Sequence, residues 1–317
     1  MTMKVAVQMD PLEGVNPNGD TTFAMMEEAQ ARGARLWTYQ VKDLSYETGR
    51  VYAYARPARV FRDRAQHWEL GEVEKLDLAT DVDVILMRQD PPFDLGYITA
   101  AHLLDLIKSQ TLVVNDPGWV LSSPEKVLPL MFPDLQPPTL ISRDPRAIHA
   151  FREHHQDIVV KPLYGHGGAG GLRVKPDDGN LEALIDLFLK QGPEPFIAQA
   201  FLPSVTEGDK RIILVDGEAC GAINRKPPEG AIRSNMVVGG AAEGAELTDR
   251  EKQICTTIGP ELKKRGLLFV GIDVIGGLMT EINVTSPTGA QAIKRMTGID
   301  PVARMWDVVK EKLAARA

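Results

Sequence analysis

LFVGIDVIGGLMTEINVTSP, residues 268–287, reads as two apolar strands joined by a tight Gly276-Gly277 turn. Asp273 interrupts the first strand in the middle of its apolar run. Glu281 and Asn283 lie two apart on the second, so they project from one face. The turn brings these three side chains together. Three oxygen donors on one face suit Mg²⁺, a hard cation that prefers carboxylate, amide and phosphate oxygens. The alternative is a set of polar residues on the exposed face of an antiparallel pair. A carboxylate inside GIDVI needs a partner if it is buried, and a metal supplies one.

Working outward, Arg211, Arg225 and Arg233 flank the two preceding strands, RIILVDG and ACGAINR, and the loop that follows them. Arginine forks match carboxylates and phosphates two bonds at a time, although a lone arginine is more often a surface residue. Further upstream, Lys161 ends the strand DIVVKPL and is followed by YGHGGAGG, residues 164–171. Backbone N–H groups in a glycine-rich turn can approach phosphate oxygens closely because no Cβ intervenes. The segment is not GxxxxGK[ST] and runs into a strand, so it is neither a P-loop nor a dinucleotide fingerprint. Taken alone it is equally a flexible surface turn. RQDPPFD, residues 88–94, follows the apolar strand VDVILM, at the carboxyl edge where open α/β sheets bind ligands. Arg88 and Asp90 fit the opposite charges of a zwitterion there, or the segment is simply a proline turn.

The N-terminal third predicts a doubly wound lobe. Strand 4–9 leads to a helix capped by Asp20 and stopped by Gly33, then to the strand RLWTYQV, a βαβ unit. Strand 82–90, a helix through Ile98–Lys108 and strand 111–116 extend it. Pro57 places the strand or hairpin 50–62 at an edge or turn. A proline-rich linker follows Trp119. The middle lobe predicts strands at TLIS, DIVVKPL, LRVKP and PFIAQAFL with helices 145–154 and 180–190. Beyond it come a polar loop 227–245, helix 248–265, the hairpin and one amphipathic C-terminal helix. His154 and His155 sit at a helix end, where a structural role is favoured. The expected boundaries are 1–122, 123–202 and 203–317.

The chain has 317 residues, 44% hydrophobic and 25% charged, which accommodates two or three lobes with ample cores. A net charge of -7 argues against a general nucleic-acid binder. Cys220 and Cys255 form neither CxxC nor a disulfide framework. No apolar run approaches a membrane span or a signal peptide. A cytoplasmic protein without nucleic-acid or membrane partners is expected.

These segments, in this order, resemble the ATP-grasp superfamily, and within it the prokaryotic glutathione synthetases. The resemblance covers essentially the whole chain and rests on MDP (9–11), SPEK (123–126), VILMRQDPPFD, DIVVKPLYGHGGAG, GDKRIILVDGE (208–218), INRKPPEGAIRSN (223–235), GIDVIG and EINVTSPTG. It implies an α/β ATP-grasp fold behind an N-terminal doubly wound parallel-sheet domain, and ligation of γ-glutamylcysteine to glycine through an acyl phosphate, with ATP as co-substrate. It implies that Lys126, Lys161, Gly167 and Gly168 contact phosphates, with His166 in the same loop. Gln199 and the backbone of Ala200, Phe201 and Leu202 would meet adenine, and Asp209 the ribose. Asp273, Glu281 and Asn283 would bind Mg²⁺ or Mn²⁺. Arg211, Arg225 and Arg233 would hold acyl-phosphate and substrate carboxylate oxygens, and Arg88, Asp90, Asn235 and Ser286 the substrates. The loop 226–241 would close over the site, and a homo-oligomer, by resemblance a tetramer, is expected. Alternatives are an ATP-grasp ligase for another carboxylate–amine pair and a non-catalytic nucleotide binder. A dinucleotide oxidoreductase is disfavoured because MDPLEGVNPNGD lacks GxGxxG.

Overall fold

The computed structural model describes residues 2–165, 170–228 and 241–316. The chain opens with β1 (Lys4–Gln8), α1 (Thr21–Ala31) and β2 (Arg35–Tyr39). β1 and β2 pair in parallel, Lys4 opposite Arg35 and Gln8 opposite Tyr39. The Asp20 carboxylate accepts the Phe23 N–H at 2.6 Å, and Gly33 leaves the helix at φ +82°, as the sequence predicts. Antiparallel strands β3 (Leu44–Glu47), β4 (Arg50–Val60), β5 (Trp68–Leu70) and β6 (Glu74–Asp77) follow. β7 (Val84–Met87), α2 (Leu95–Asp105), β8 (Leu112–Val114) and α3 (Pro117–Leu121) complete the first sheet, ordered β3-β4-β2-β1-β7-β8.

Several expectations differ from the structure. β4 is not an edge: it pairs with β2 on one side and with β3, β5 and β6 on others. Pro57 is tolerated because it falls in the gap between the residues that pair with β6 (52–55) and those that pair with β5 (58–60). α2 begins three residues early because Asp94 caps it, accepting the Tyr97 N–H at 2.9 Å. The polar segment 227–245 is not all loop, since its last residues form a strand.

The middle lobe comprises β9 (Thr139–Ser142), α4 (Pro145–His155), β10 (Ile158–Pro162), β11 (Leu172–Val174), α5 (Leu181–Gln191) and β12 (Phe196–Ala200). Its antiparallel sheet runs β11-β10-β12-β9. The chain enters and leaves this lobe at one place. Thr139 faces Gln199, and the Ala200 N–H donates to the Pro138 carbonyl at 3.0 Å.

The last sheet, β15-β14-β13-β16-β17, contains β13 (Asp209–Val215), β14 (Glu218–Lys226), β15 (Ala241–Ala245), β16 (Phe269–Ile275) and β17 (Leu278–Asn283). α6 (Asp249–Lys264) precedes β16, and α7 (Ala290–Thr297) and α8 (Pro301–Ala314) end the chain. The single C-terminal helix expected from the sequence is two, separated at Gly298 (φ +76°).

Burial divides the molecule differently from its three sheets. Two apolar cores each combine residues of the first and last sheets. Ala6, Met87 and Tyr97 share one with Ile272 and Ile282. Val7, Phe23 and Leu86 share the other with Ile213, Phe269 and Trp306. The Trp306 indole also donates to the Met25 carbonyl at 2.9 Å. The middle lobe has a separate core of Ile148, Ile158, Val160, Leu184, Phe188 and Phe196. Phe188→Ala should therefore cost about 3–5 kcal/mol locally. Hydrogen exchange should accelerate in residues 139–200 and leave β1 and β13 protected. Uniform loss of protection along the chain would contradict separate cores.

Candidate active site

The last sheet builds the site by alternation. On β13, β16 and β17, Ile212, Leu214, Ile272, Val274, Met279 and Ile282 face one core. The opposite face is apolar at one end, with Ile213, Val215, Ile223 and Phe269, and charged at the other. Asp209 stands opposite Arg225, Arg211 opposite Asp273, and Asp273 opposite Glu281. Gly276 and Gly277 make the β16–β17 turn with φ of +57° and +76°, a conformation that costs glycine little. β17 then breaks step. Its register shifts between Asp273 and Val274, so Thr280 is the extra residue of a bulge. Met279 consequently points into the core while Glu281 joins Asp273 on the charged face.

The charges neutralise one another. Asp273 Oδ1 lies 2.6 Å from Arg211 Nε and 2.8 Å from Arg225 Nη2, and its Oδ2 accepts Arg211 Nη2 at 3.0 Å. Arg225 also holds Asp209 Oδ2 at 2.7 Å. Burial works against the Asp273 carboxylate, yet the two guanidiniums outweigh it and hold it far below the usual range. Burial likewise opposes the Arg225 charge, and Asp273 and Asp209 override it. Gly271 lies under Arg211: a Cβ there would stand 3.2 Å from Arg211 Cδ and 3.3 Å from its Nη1. Asn283 Nδ2 is 3.4 Å from Asp273 Oδ2. The three sequence-predicted metal ligands therefore converge. No cluster of three His, Cys, Asp or Glu occurs among the described residues. Two carboxylates and one amide fit a hard divalent cation that takes its remaining oxygens from phosphate and water.

The linker reaches this face through Lys126, buried, whose Nζ is 2.7 Å from Glu281 Oε1 and also donates to the Gly165 carbonyl. Lys161, at the end of β10, has its ammonium destabilised by burial and by Lys126, against the attraction of Glu281, Asp209 and Asp273. Glu125, which the sequence reading did not single out, has its carboxyl pushed upward by burial and by Glu281. Its only sequence signal is its place beside Lys126.

At the end of β12, Gln199 is buried and donates to Thr139 Oγ1 at 3.1 Å. The Ala200 and Phe201 N–H groups are taken by Pro138 and Asp157 carbonyls. The Leu202 N–H has no hydrogen-bond partner among the described residues. Across the cleft, Arg88 is buried at the end of β7. It donates to Thr22 Oγ1 at 3.0 Å and to the Pro287 carbonyl at 3.1 Å, with no carboxylate in ion-pair contact among the described residues. Burial lowers its pKa, while Asp20 and Asp90 support its charge. Arg88 and Asp90 thus do not form an ion pair. Asp90 instead accepts the Ser286 hydroxyl at 3.0 Å. Phe93 stacks against Tyr164, 6.4 Å between ring centres, joining the RQDPPFD segment to the chain just before the glycine loop. His166, Gly167, Gly168, Arg233 and Asn235 lie outside the described residues.

An antiparallel four-stranded lobe facing a charged five-stranded sheet, with lysines and oxygen donors converging between them, defines an ATP-dependent ligase of the ATP-grasp class. Two family models match: the prokaryotic glutathione synthetase N-terminal domain over residues 3–120 and the prokaryotic glutathione synthetase ATP-grasp domain over residues 125–298. The glutathione synthetase of Rhodopseudomonas palustris is 53% identical over 314 residues, covering 99% of this chain and 100% of the relative. That of Pseudomonas putida is 40% identical, with 100% of each chain covered. The chain belongs to the prokaryotic glutathione synthetase family. Among solved structures, a D-cycloserine synthetase has a TM-score of 0.69 at 14% identity over 98% of this chain and 99% of its own. An ATP-grasp RimK domain protein from Sphaerobacter thermophilus has 0.62 at 16% identity over 96% and 98%. At such identities these two share the fold.

Because the Asp273 carboxyl ionises more readily folded than unfolded, its contribution to stability is complete above its unfolded value, 3.8, and is lost as pH falls below it toward the folded value. Asp273→Asn should cost about 3–5 kcal/mol at pH 7 by leaving two buried guanidiniums undercompensated. The stability gap to the parent should narrow as pH drops from 5 to 3, measured by thermal melts across that range. A gap independent of pH would show that the ion-pair set does not hold Asp273 ionised.

Proposed function

We propose that the chain ligates γ-glutamylcysteine to glycine, converting ATP to ADP and phosphate. The self-neutralised charge set on the cleft face of β13, β14, β16 and β17 carries this reading, together with the family membership. The dipeptide's C-terminal carboxylate attacks the γ-phosphorus, the bond to ADP breaks, and an acyl phosphate results. The glycine amine then attacks the activated carbonyl, phosphate leaves with the bonding electrons, and the amine gives up a proton.

The oxygens involved are anionic throughout, so positioned cations matter most. Lys126 and Lys161 would neutralise the triphosphate. Arg211, Arg225 and Arg233 would hold the acyl-phosphate oxygens and the substrate carboxylates, and Asn235 would contact the substrate. The Leu202 N–H would meet the purine edge and Asp209 the ribose, with Gly167 and Gly168 supplying backbone donors. Asp273, Glu281 and Asn283 would hold Mg²⁺, or Mn²⁺ in its place, which neutralises charge on the transferring phosphoryl group. Arg88 would receive a substrate carboxylate and Asp90 an ammonium. Ser286 would turn to the glycine carboxylate. Exclusion of water from the acyl phosphate by the middle lobe and residues 226–241 fits the need of such an intermediate.

The lobes 1–122, 123–202 and 203–317 are the proposed functional units, in a cytoplasmic homo-oligomer, tetrameric by resemblance. No helix of the described residues is long and apolar enough to cross a membrane. Light scattering of the purified chain tests the assembly.

ADP release with Mg·ATP, γ-glutamylcysteine and glycine, each omitted in turn, tests the reaction. Release that requires both amino-acid substrates, with glutathione detected by mass, is the expected result. Release with a different acid–amine pair would reassign the substrates. Arg88→Ala should raise KM for the dipeptide about 10- to 100-fold, the loss of a charge-assisted bond, with a smaller change in kcat. Glu281→Gln and Asn283→Ala should do the reverse, and small equal effects on both constants would remove them as metal ligands.

A further inference from the structure

Glu125 joins the linker to the end of β17 and has no role in the chemistry above. Its Oε1 accepts three hydrogen bonds at once: from the Val284 N–H at 2.9 Å, the Thr285 N–H at 3.1 Å and the Thr285 hydroxyl at 2.8 Å. Its own carbonyl accepts the Ile282 N–H at 3.0 Å. The adjacent residue, Lys126, pairs with Glu281 on the same strand. Two consecutive linker residues therefore grip the strand on both sides of Asn283.

The two grips differ in permanence. Lys126 occupies the Glu281 carboxylate, for which a divalent cation held as proposed would compete. Were the cation to take it, Lys126 would be free to meet nucleotide phosphate. The linker is then tied to the hairpin by the Glu125 bonds. Residues that orient metal ligands from behind commonly matter nearly as much as the ligands.

We infer that Glu125 is a positioning residue: it fixes Lys126 relative to the metal-binding face of β17 while Lys126 exchanges Glu281 for phosphate. This deepens the ligase reading and rests on it. The mechanism is a hydrogen-bond clamp, not a charge. All three donors converge on one oxygen, so a glutamine carbonyl can reproduce them, whereas alanine cannot.

The test compares Glu125→Ala and Glu125→Gln by kcat, by KM for γ-glutamylcysteine, by Mg·ADP affinity in calorimetry and by melting temperature. Glu125→Ala should lower kcat and weaken Mg·ADP binding, each by about 10- to 100-fold. KM for the dipeptide should change by no more than about twofold, and Glu125→Gln should recover most of both losses. An alanine variant that melts earlier but keeps kcat and Mg·ADP affinity would overturn the inference and leave a structural role. A glutamine variant as impaired as alanine would overturn it in favour of charge. If Glu125→Ala does not fold, Thr285→Val against Thr285→Ser reads the same clamp. Thr285→Val alone should be impaired, and equal behaviour of the two would count against it. Should the parent protein form no glutathione, the ligase reading fails, and the Mg·ADP arm still decides the clamp.

Discussion

The structure depends on placing four buried charges on one sheet face without leaving any uncompensated. Asp273 lies between Arg211 and Arg225, and Arg225 reaches on to Asp209. Each charge would be prohibitively expensive alone at this depth. Together they keep a polar surface inside the protein. The same pairing explains how the site can accept a highly charged ligand. In the proposed ligase an incoming cation would offer Asp273 and Glu281 a new partner and would free arginine and lysine donors for phosphate. Such binding would be an exchange of partners, so little charge would have to be desolvated anew.

The packing gives this charged face a shared floor and the middle lobe a core of its own. The first and last sheets share two cores and are locked further by Asn115. Its amide nitrogen donates to the Phe269 and Val284 carbonyls, and its oxygen accepts the Phe269 N–H. Arg88, Asp90 and Ser286, the proposed substrate contacts, are thereby fixed relative to Asp273. The middle lobe, with its own core, carries Lys161 on an independent body.

Much of this was legible in the sequence. The Gly-Gly turn, the acid inside an apolar strand and the Glu-x-Asn spacing predict the hairpin and its polar face, because period-two geometry is local. The Asp20 cap and the parallel βαβ start are local too. What escaped depends on distant partners. Pro57 reads as an edge residue, and only the gap between β5 and β6 accommodates it inside a sheet. The bulge at Thr280 appears only once Asp273 and Met279 have partners in register. That Asp273 is held by Arg211 and Arg225, 62 and 48 positions away in the sequence, is invisible in any window. Glu125 is inconspicuous for the same reason: its partners are Val284 and Thr285, not its neighbours in the chain.

The paired crossings at Pro138–Thr139 and Gln199–Ala200 also have a mechanical meaning. Two chain segments bonded side by side act like adjacent pins of one door hinge, allowing swing and resisting twist. β10 runs from Ile158, opposite Ala200, to Pro162, so its far end stands about 13–16 Å from that axis. A swing of about 10° there displaces Lys161 and the start of the glycine loop by about 2–3 Å, the difference between a hydrogen bond made and one lost. On the proposed reading, the short lever would convert a small rotation into a choice between gripping and releasing phosphate.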